Sequence, residues 1–155
     1  MIIYISILSV FTFVIVNTLV SFSTTYREVR IDRAIDNSAV TSLERMTRDI
    51  RKATSITLGQ STFGTHPGVL TLFTTDTVNS TTTRLYINNG VLSVDVNGVY
   101  SGPLSLVQTP VTNLVFTRLT STTSEAVKID MTVEYPFGST TKTKQYHTTV
   151  ILKGL

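Results

Sequence analysis

The first 26 residues, Met1 to Tyr26, carry no charged side chain, and this run constrains the fold more than any other feature. Within it, Met1–Phe22 reads MIIYISILSVFTFVIVNTLVSF, an almost continuous apolar segment without glycine or proline. As an α-helix this segment would extend about 33 Å, enough to cross the hydrocarbon core of a bilayer. A strand would leave backbone groups unpaired in lipid, so a transmembrane helix is predicted.

A cleaved secretory signal is the alternative interpretation, because Ser21-Phe22-Ser23 loosely resembles a cleavage site of small residues. However, the apolar run is longer than the core of a usual signal peptide, and no lysine or arginine precedes it in the sequence. These two differences favour a retained anchor.

Polar residues in the apolar run share one helical face, at Ser6, Ser9, Asn17, Ser21 and Thr24. Small and hydroxylic residues allow helices to approach closely in lipid, whereas serine and threonine also bond their own backbone carbonyls. Asn17 is harder to explain without a neighbour, since an unpaired amide is costly in the bilayer. The residues predicted to form a membrane and assembly surface are Ile2, Ile3, Tyr4, Ser6, Ile7, Phe11, Phe13, Val14, Asn17 and Ser21.

An apolar stripe with helical spacing begins at Ile31 and continues to Ala53. No proline or glycine interrupts the chain before Gly59, so one helix of about 80 Å is predicted. Its second half would pack on a sheet through Ile35, Ala39, Leu43, Met46 and Ile50.

Charges of both signs mark the segment between these two halves. Its acids are Glu28, Asp32 and Asp36, which stack along one side of a helix, and its bases are Arg27, Arg30 and Arg33, which lie roughly opposite. The acidic side of one subunit would then meet the basic side of the next in an assembly. A solvated linker helix without a partner is an equal alternative, because exposed ion pairs contribute little.

The rest of the chain is rich in threonine, serine and valine and predicts short antiparallel strands. The predicted strands are Val69–Thr74, Thr83–Asn88, Val91–Val96, Leu104–Val107, Leu114–Leu119, Ala126–Tyr135 and Gln145–Leu152. Asn89-Gly90 and Asn97-Gly98 predict type I′ hairpin turns. The expected fold class is therefore α+β, with a transmembrane helix at 1–26, its amphipathic continuation at 27–54 and an antiparallel β domain at 55–155.

The residues that enzymes use are sparse. Cysteine is absent, and the two histidines, His66 and His147, have no carboxylate at a recognisable spacing. Asp76 and Asn79 provide two oxygen ligands, well short of what calcium requires. The triplet Asn79-Ser80-Thr81 matches a glycosylation sequon, but a threonine-rich loop produces it by chance. A structural protein without catalytic residues, metal or cofactor is predicted.

The arrangement of a helix that is first apolar and then amphipathic, followed by an antiparallel sheet, resembles type IV pilins and pseudopilins. MIIYISIL is similar to the residues directly after the Gly-Phe-Thr-Leu-Ile-Glu processing motif of that family. Ser42–Ala53, SLERMTRDIRKA, resembles the corresponding region of J-type minor pseudopilins and W-type minor pilins. Tyr86–Leu92 and Val111–Phe116 also resemble strands of these proteins.

This resemblance implies a minor structural subunit of a type IV pilus, a type II secretion system or a DNA-uptake machine. Its implied partners are homologous pilin or pseudopilin subunits, the inner-membrane assembly platform, the lipid bilayer and, with a leader, a prepilin peptidase; methylation of the processed chain is implied with it. The β domain would then be periplasmic or extracellular.

Two alternatives remain open. One is a filament-tip binding protein for DNA or a surface ligand, which would need a continuous basic patch. The bases available for such a patch are Arg84, Arg118, Lys128, Lys142 and Lys144, and DNA has no further support in a chain of formal charge +3. The other alternative is a membrane-anchored β protein that does not polymerise.

The orientation of the helix generates the first prediction. Arg27, Arg30 and Arg33 follow the apolar span, which by itself would hold the β domain in the cytoplasm. A basic leader would reverse that bias, so basic residues and a Gly-Phe-Thr-Leu-Ile-Glu-like motif are expected in frame directly before the Met1 codon. Sequencing of that DNA tests this, and an in-frame stop codon without the motif would contradict it.

Overall fold

The computed structural model describes residues 1–75, 79–122, 124–137 and 140–153. Its first element is helix α1, Ile2–Lys52, which ends with Arg51 and Lys52 in the last turn. Positive side chains in the last turn stabilise a helix, because they lie at the negative end of its dipole. The chain divides into two compact units, Met1–Ala34 and Ile35–Leu155. The first unit is helical, and the second contains the end of α1 and all the strands described.

Two antiparallel sheets follow the helix. The first has five strands in chain order, β1 (Ser55–Ile56), β2 (Leu70–Thr75), β3 (Ser80–Asn88), β4 (Val91–Val96) and β5 (Val99–Pro103). The second has three, β6 (Val111–Thr120), β7 (Glu125–Phe137) and β8 (Thr140–Ile151). A 3₁₀ turn, Leu58–Gln60, lies between β1 and β2. The long N-terminal helix and the antiparallel sheets confirm the predicted α+β class.

Both Asn-Gly hairpins form as predicted. Asn89 and Gly90 have φ angles of 49° and 77°, and Asn97 and Gly98 have 53° and 78°. A type I′ turn requires positive φ at both central residues, which asparagine and glycine adopt most readily. These turns connect β3 to β4 and β4 to β5.

The predicted strand Leu104–Val107 is wrong, and β5 lies just before it. Most of β5 is exposed on both faces, so it lacks the alternation that identifies a strand in a sequence. Leu106 and Val107, which are apolar, are 51% and 75% exposed in the loop that follows β5. The short strand β1 and the 3₁₀ turn also carry no periodic signal.

The core lies between the inner faces of the strands and the part of α1 from Ile35 to Lys52. In β7 the alternation is complete over Val127, Ile129, Met131 and Val133, all of which are buried, while the residues between them are partly exposed. The other fully buried strand residues include Leu70, Leu72, Leu85, Leu92, Leu114 and Phe116. The core is therefore built from both sheets.

The free edge of β6 is covered by the loop that precedes β2. The Gly64 and Gly68 amides donate hydrogen bonds to Phe116 O and Leu114 O at 2.8 and 2.9 Å. His66 Nδ1 accepts a hydrogen bond from the Leu114 amide at 3.0 Å. Gly68 lies so close that an added Cβ would be 2.9 Å from both Leu114 O and Phe116 Cδ2.

We therefore expect Gly68→Ala to lower the free energy of unfolding by about 1–3 kcal/mol, because the new methyl group meets a backbone oxygen that cannot move freely. Urea denaturation of the full chain in detergent, followed by circular dichroism, measures this. Gly59→Ala is the matched control, because nothing lies within 4 Å of a Cβ at that position. Equal effects of the two substitutions would contradict the close packing of the loop on β6.

Candidate membrane and assembly surface

The apolar half of α1 is exposed along its whole length. The helix is long and apolar enough to cross a membrane. Among the residues predicted for the membrane surface, the large apolar side chains range from 55% exposed at Val14 to 82% at Ile2. Ser6, Asn17 and Ser21 are exposed as well.

Several hydroxyl groups on this half bond the helix itself. The Ser6 hydroxyl donates to Ile2 O at 3.0 Å, and the Thr24 hydroxyl donates to Ser21 O at 2.8 Å. Such bonds satisfy a hydroxyl in lipid without a second helix. Asn17 differs, because an amide on a membrane-spanning face needs a polar partner.

The second half of α1 turns a buried face to the sheets. Ile35, Ala39, Met46 and Ile50 are at most 1% exposed. Leu43 is only half-buried, which differs from the predicted stripe. At 100° per residue it lies about 80° from Ile35, at the border of the buried face.

Two serines, Ser38 and Ser42, occupy the buried face instead, and sequence reasoning missed both. Ser42 Oγ lies 2.7 Å from Leu104 O and from Ser38 O. Ser38 Oγ accepts hydrogen bonds from the Thr109 hydroxyl at 2.8 Å and the Leu106 amide at 3.2 Å. The helix is thus hydrogen-bonded to the loop after β5, and buried hydroxyls with such partners carry little desolvation cost.

A second polar anchor joins α1 to β8. The Asp36 carboxylate accepts hydrogen bonds from Lys144 Nζ at 2.9 Å and the Tyr146 hydroxyl at 2.7 Å. The charge pattern predicts that Asp36 faces another subunit, but its carboxylate is engaged inside its own chain. The spacing of the three acids could not show this, since the partners lie more than 100 residues away in sequence.

Most of the charged residues before residue 34 are exposed to solvent. Arg27, Glu28, Arg30 and Arg33 are exposed, and Asp32 is half-buried. These four exposed residues are the ones available to a neighbouring molecule.

The five bases considered for a DNA patch are distributed over both sheets and engaged locally. Lys128 and Lys144 lie on opposite faces of the second sheet, because Lys128 alternates with the buried residues of β7 and Lys144 pairs with buried Val133.

Each of the five bases also has a partner nearby. Lys128 Nζ lies 3.0 Å from Asp130 Oδ1. Arg118 pairs with Glu125, and Arg84 lies 5.0 Å from the centre of the Tyr86 ring. Lys142, on β8, also has an interaction partner. This distribution gives no continuous basic patch among the described residues.

Tyr86 and Asp95 form a further polar pair on the outer face of the first sheet. The Tyr86 hydroxyl donates to Asp95 Oδ1 at 2.9 Å. This hydrogen bond, with smaller contributions from burial and the nearby negative charge, raises the pKa of Tyr86.

The histidines are separated by the fold. His66 bonds the β6 backbone, whereas His147 lies opposite Asp130 across β7 and β8, with Nδ1 2.5 Å from Asp130 Oδ1. Within residues 1–75, 79–122, 124–137 and 140–153 no three His, Asp or Glu side chains form a group suited to a metal ion. Asp76 lies outside the described residues, and Asn79 is exposed just before β3.

No family model, no curated protein and no solved structure matches this chain.

The ion cluster of Asp130 generates a pH prediction. The pKa of Asp130 is lowered from 3.8, most by the hydrogen bond with His147 and next by the hydrogen bond with Lys128. Because the pKa of Asp130 is lower in the folded state, its ionised carboxylate stabilises the fold at pH values above the unfolded-state pKa. This stabilisation is lost as the pH falls through the folded-state pKa. Asp130→Asn should therefore lower the free energy of unfolding by less than about 1 kcal/mol at pH 7, because the partners are partly exposed.

Urea denaturation between pH 7 and pH 2 measures the effect, and the difference between the two proteins should disappear at the acidic end. Glu44→Gln, on the exposed face of α1, is the control and should change stability by less than about 0.5 kcal/mol throughout. A difference for Asp130→Asn that persists unchanged below its folded-state pKa would mean that another property of the substitution is responsible.

Proposed function

We propose that this protein is a minor structural subunit of a type IV pilus-like filament, anchored by α1 in the membrane and incorporated into the filament through the same helix. The machine would be a pilus, a type II secretion system or a DNA-uptake apparatus. No catalytic residues are required for this role.

The observation that carries the proposal is the contrast between the two halves of one helix. From Ile2 to Phe22 the large apolar residues are exposed, whereas Ile35, Met46 and Ile50 are fully buried. An apolar helical surface of this length needs a cover of lipid or of other helices. In a filament subunit this surface would contact lipid first, while the chain is held in the bilayer. It would contact the helices of neighbouring subunits after assembly.

The exposed charges support the same proposal. Arg27, Glu28, Arg30 and Arg33 lie directly after the apolar half, in the region that would enter a filament next to other subunits. Opposite charges on adjacent helices would set the axial register between subunits. Asp36 takes no part in this scheme, because Lys144 and Tyr146 hold it.

The proposed partners and location follow from this role. Homologous pilin-like subunits would contact α1, and the inner-membrane assembly platform would extract it from the bilayer. The β domain would lie in the periplasm or outside the cell. A DNA-binding role at the filament tip is not favoured, because the five bases considered for a DNA patch are engaged with neighbours and are distributed over both sheets.

The absence of cysteine from the sequence allows a direct test of assembly. Phe11→Cys labelled with the photoreactive thiol reagent benzophenone-4-maleimide should give ultraviolet-induced cross-links to pilin-like subunits in the sheared filament fraction, because Phe11 is 65% exposed on the apolar half. Immunoblotting detects the products. Cells without the assembly ATPase should give no such cross-links in that fraction.

Charge reversal in the same Phe11→Cys chain then tests the register. Replacing Arg27, Arg30 and Arg33 with glutamate should abolish the filament cross-links while the chain remains in the membrane. Replacing the exposed Arg48 and Arg51 with glutamate is the control and should leave the cross-links in place. A chain that inserts in the membrane but never enters the filament fraction would identify a membrane-anchored β protein that does not polymerise.

A further inference from the structure

One side of α1 between Phe22 and Arg33 is both aromatic and basic. It forms a shallow groove lined by Phe22, Thr25, Tyr26, Val29, Arg30 and Arg33. Phe22 and Tyr26 are 72% and 67% exposed, and Val29 is 45% exposed. All six residues belong to the helical unit Met1–Ala34, and we call this side the arginine face.

The arginine face carries no acid. At 100° per residue, Tyr26, Arg30 and Arg33 lie within about 60° of one another around the helix. Of the two acids in this helical unit, Asp32 is about 100° from Arg33 and Glu28 is farther away. Asp36, the next acid along α1, is about 60° from Arg33, and its carboxylate accepts hydrogen bonds from Lys144 and Tyr146. Among the ion pairs of the described residues, none joins Arg30 or Arg33 to a carboxylate. Arg30 and Arg33 are therefore not paired with a carboxylate among the described residues.

The face also lies at a defined depth relative to the apolar half. Met1–Tyr26 carries no charged side chain and Arg27 is the first charged residue after it, so the hydrocarbon region ends near Phe22 and Tyr26, where aromatic rings prefer the boundary with water. Arg30 is about 6 Å beyond Tyr26 along the helix axis. The headgroup layer on each side of a bilayer is about 5–7 Å thick, so the guanidinium groups would reach it.

We infer that the arginine face binds the phosphate groups of anionic phospholipids in the leaflet from which the β domain emerges, while the subunit is stored in the membrane. Guanidinium groups donate paired hydrogen bonds that match phosphate oxygens, and Phe22 and Tyr26 cover the adjoining glycerol and upper acyl chains. This inference rests on the membrane anchoring in the proposed function but not on filament assembly. It gives the helix a preferred lipid and a fixed depth before assembly.

The test compares two lipids that differ in headgroup charge. The full chain in detergent is titrated with phosphatidylglycerol or phosphatidylcholine, and native mass spectrometry gives the association constant for the first bound lipid. We expect a preference of about fivefold or more for phosphatidylglycerol, because attraction of one base to an anionic surface is worth about 1 kcal/mol. In Arg30→Gln/Arg33→Gln the ratio should fall close to one.

Arg48→Gln/Arg51→Gln is the matched control, since it removes the same charge from exposed positions of the same helix. Retention of the preference in this control, with its loss in the Arg30 and Arg33 variant, supports the inference. Equal ratios in the two variants would overturn it, because the preference would then depend only on net charge.

Insertion into vesicles, measured by resistance to carbonate extraction, separates the possible failures. A chain that inserts normally but shows no lipid preference would overturn the lipid site and leave the anchor intact. A chain that does not insert would overturn the membrane anchor and the lipid site together.

Discussion

Two antiparallel sheets with apolar inner faces need a common cover, and the part of α1 from Ile35 to Lys52 provides it. Ile35, Met46 and Ile50 on this part of the helix are fully buried, which shows that its apolar face is packed into the core of the domain. Burial of a side chain of this size contributes about 1.5–3 kcal/mol, so the cover is a large share of the stability of a domain. The helix cannot be detached from the β domain as a simple anchor.

Apolar contact alone would leave the position of the helix loosely defined, and polar contacts define it. Ser38 and Ser42 bond the loop after β5, and Asp36 bonds Lys144 and Tyr146 on β8. Hydrogen bonds are directional, so a shift of α1 along its axis would break all of them while changing the apolar contacts little. The two groups of bonds fix α1 to elements at different places in the β domain.

The charged residues divide into two groups with different environments. In the β domain, Arg118 and Lys128 are paired with Glu125 and Asp130. On the helical unit, Arg30 and Arg33 have no such carboxylate partner among the described ion pairs. The proposed storage in lipid and transfer to a filament both use this second group.

Local sequence patterns are enough to predict the class of the fold and the two halves of the helix. An uncharged apolar run, a helical stripe and Asn-Gly turns are such patterns, because helix periodicity, strand alternation and turn conformation depend on residues close together in the chain. For the same reason the alternation predicts the buried face of β7 from Val127 to Val133, whereas β5, exposed on both sides, gives no such signal. Three features depend on tertiary contacts alone. Ser38 and Ser42 are buried where the stripe predicts Leu43, His66 is hydrogen-bonded to β6, and Asp36 is hydrogen-bonded to β8. Each of these depends on a partner between about 50 and 110 residues away, and a local pattern contains no information on which distant group will supply a hydrogen bond.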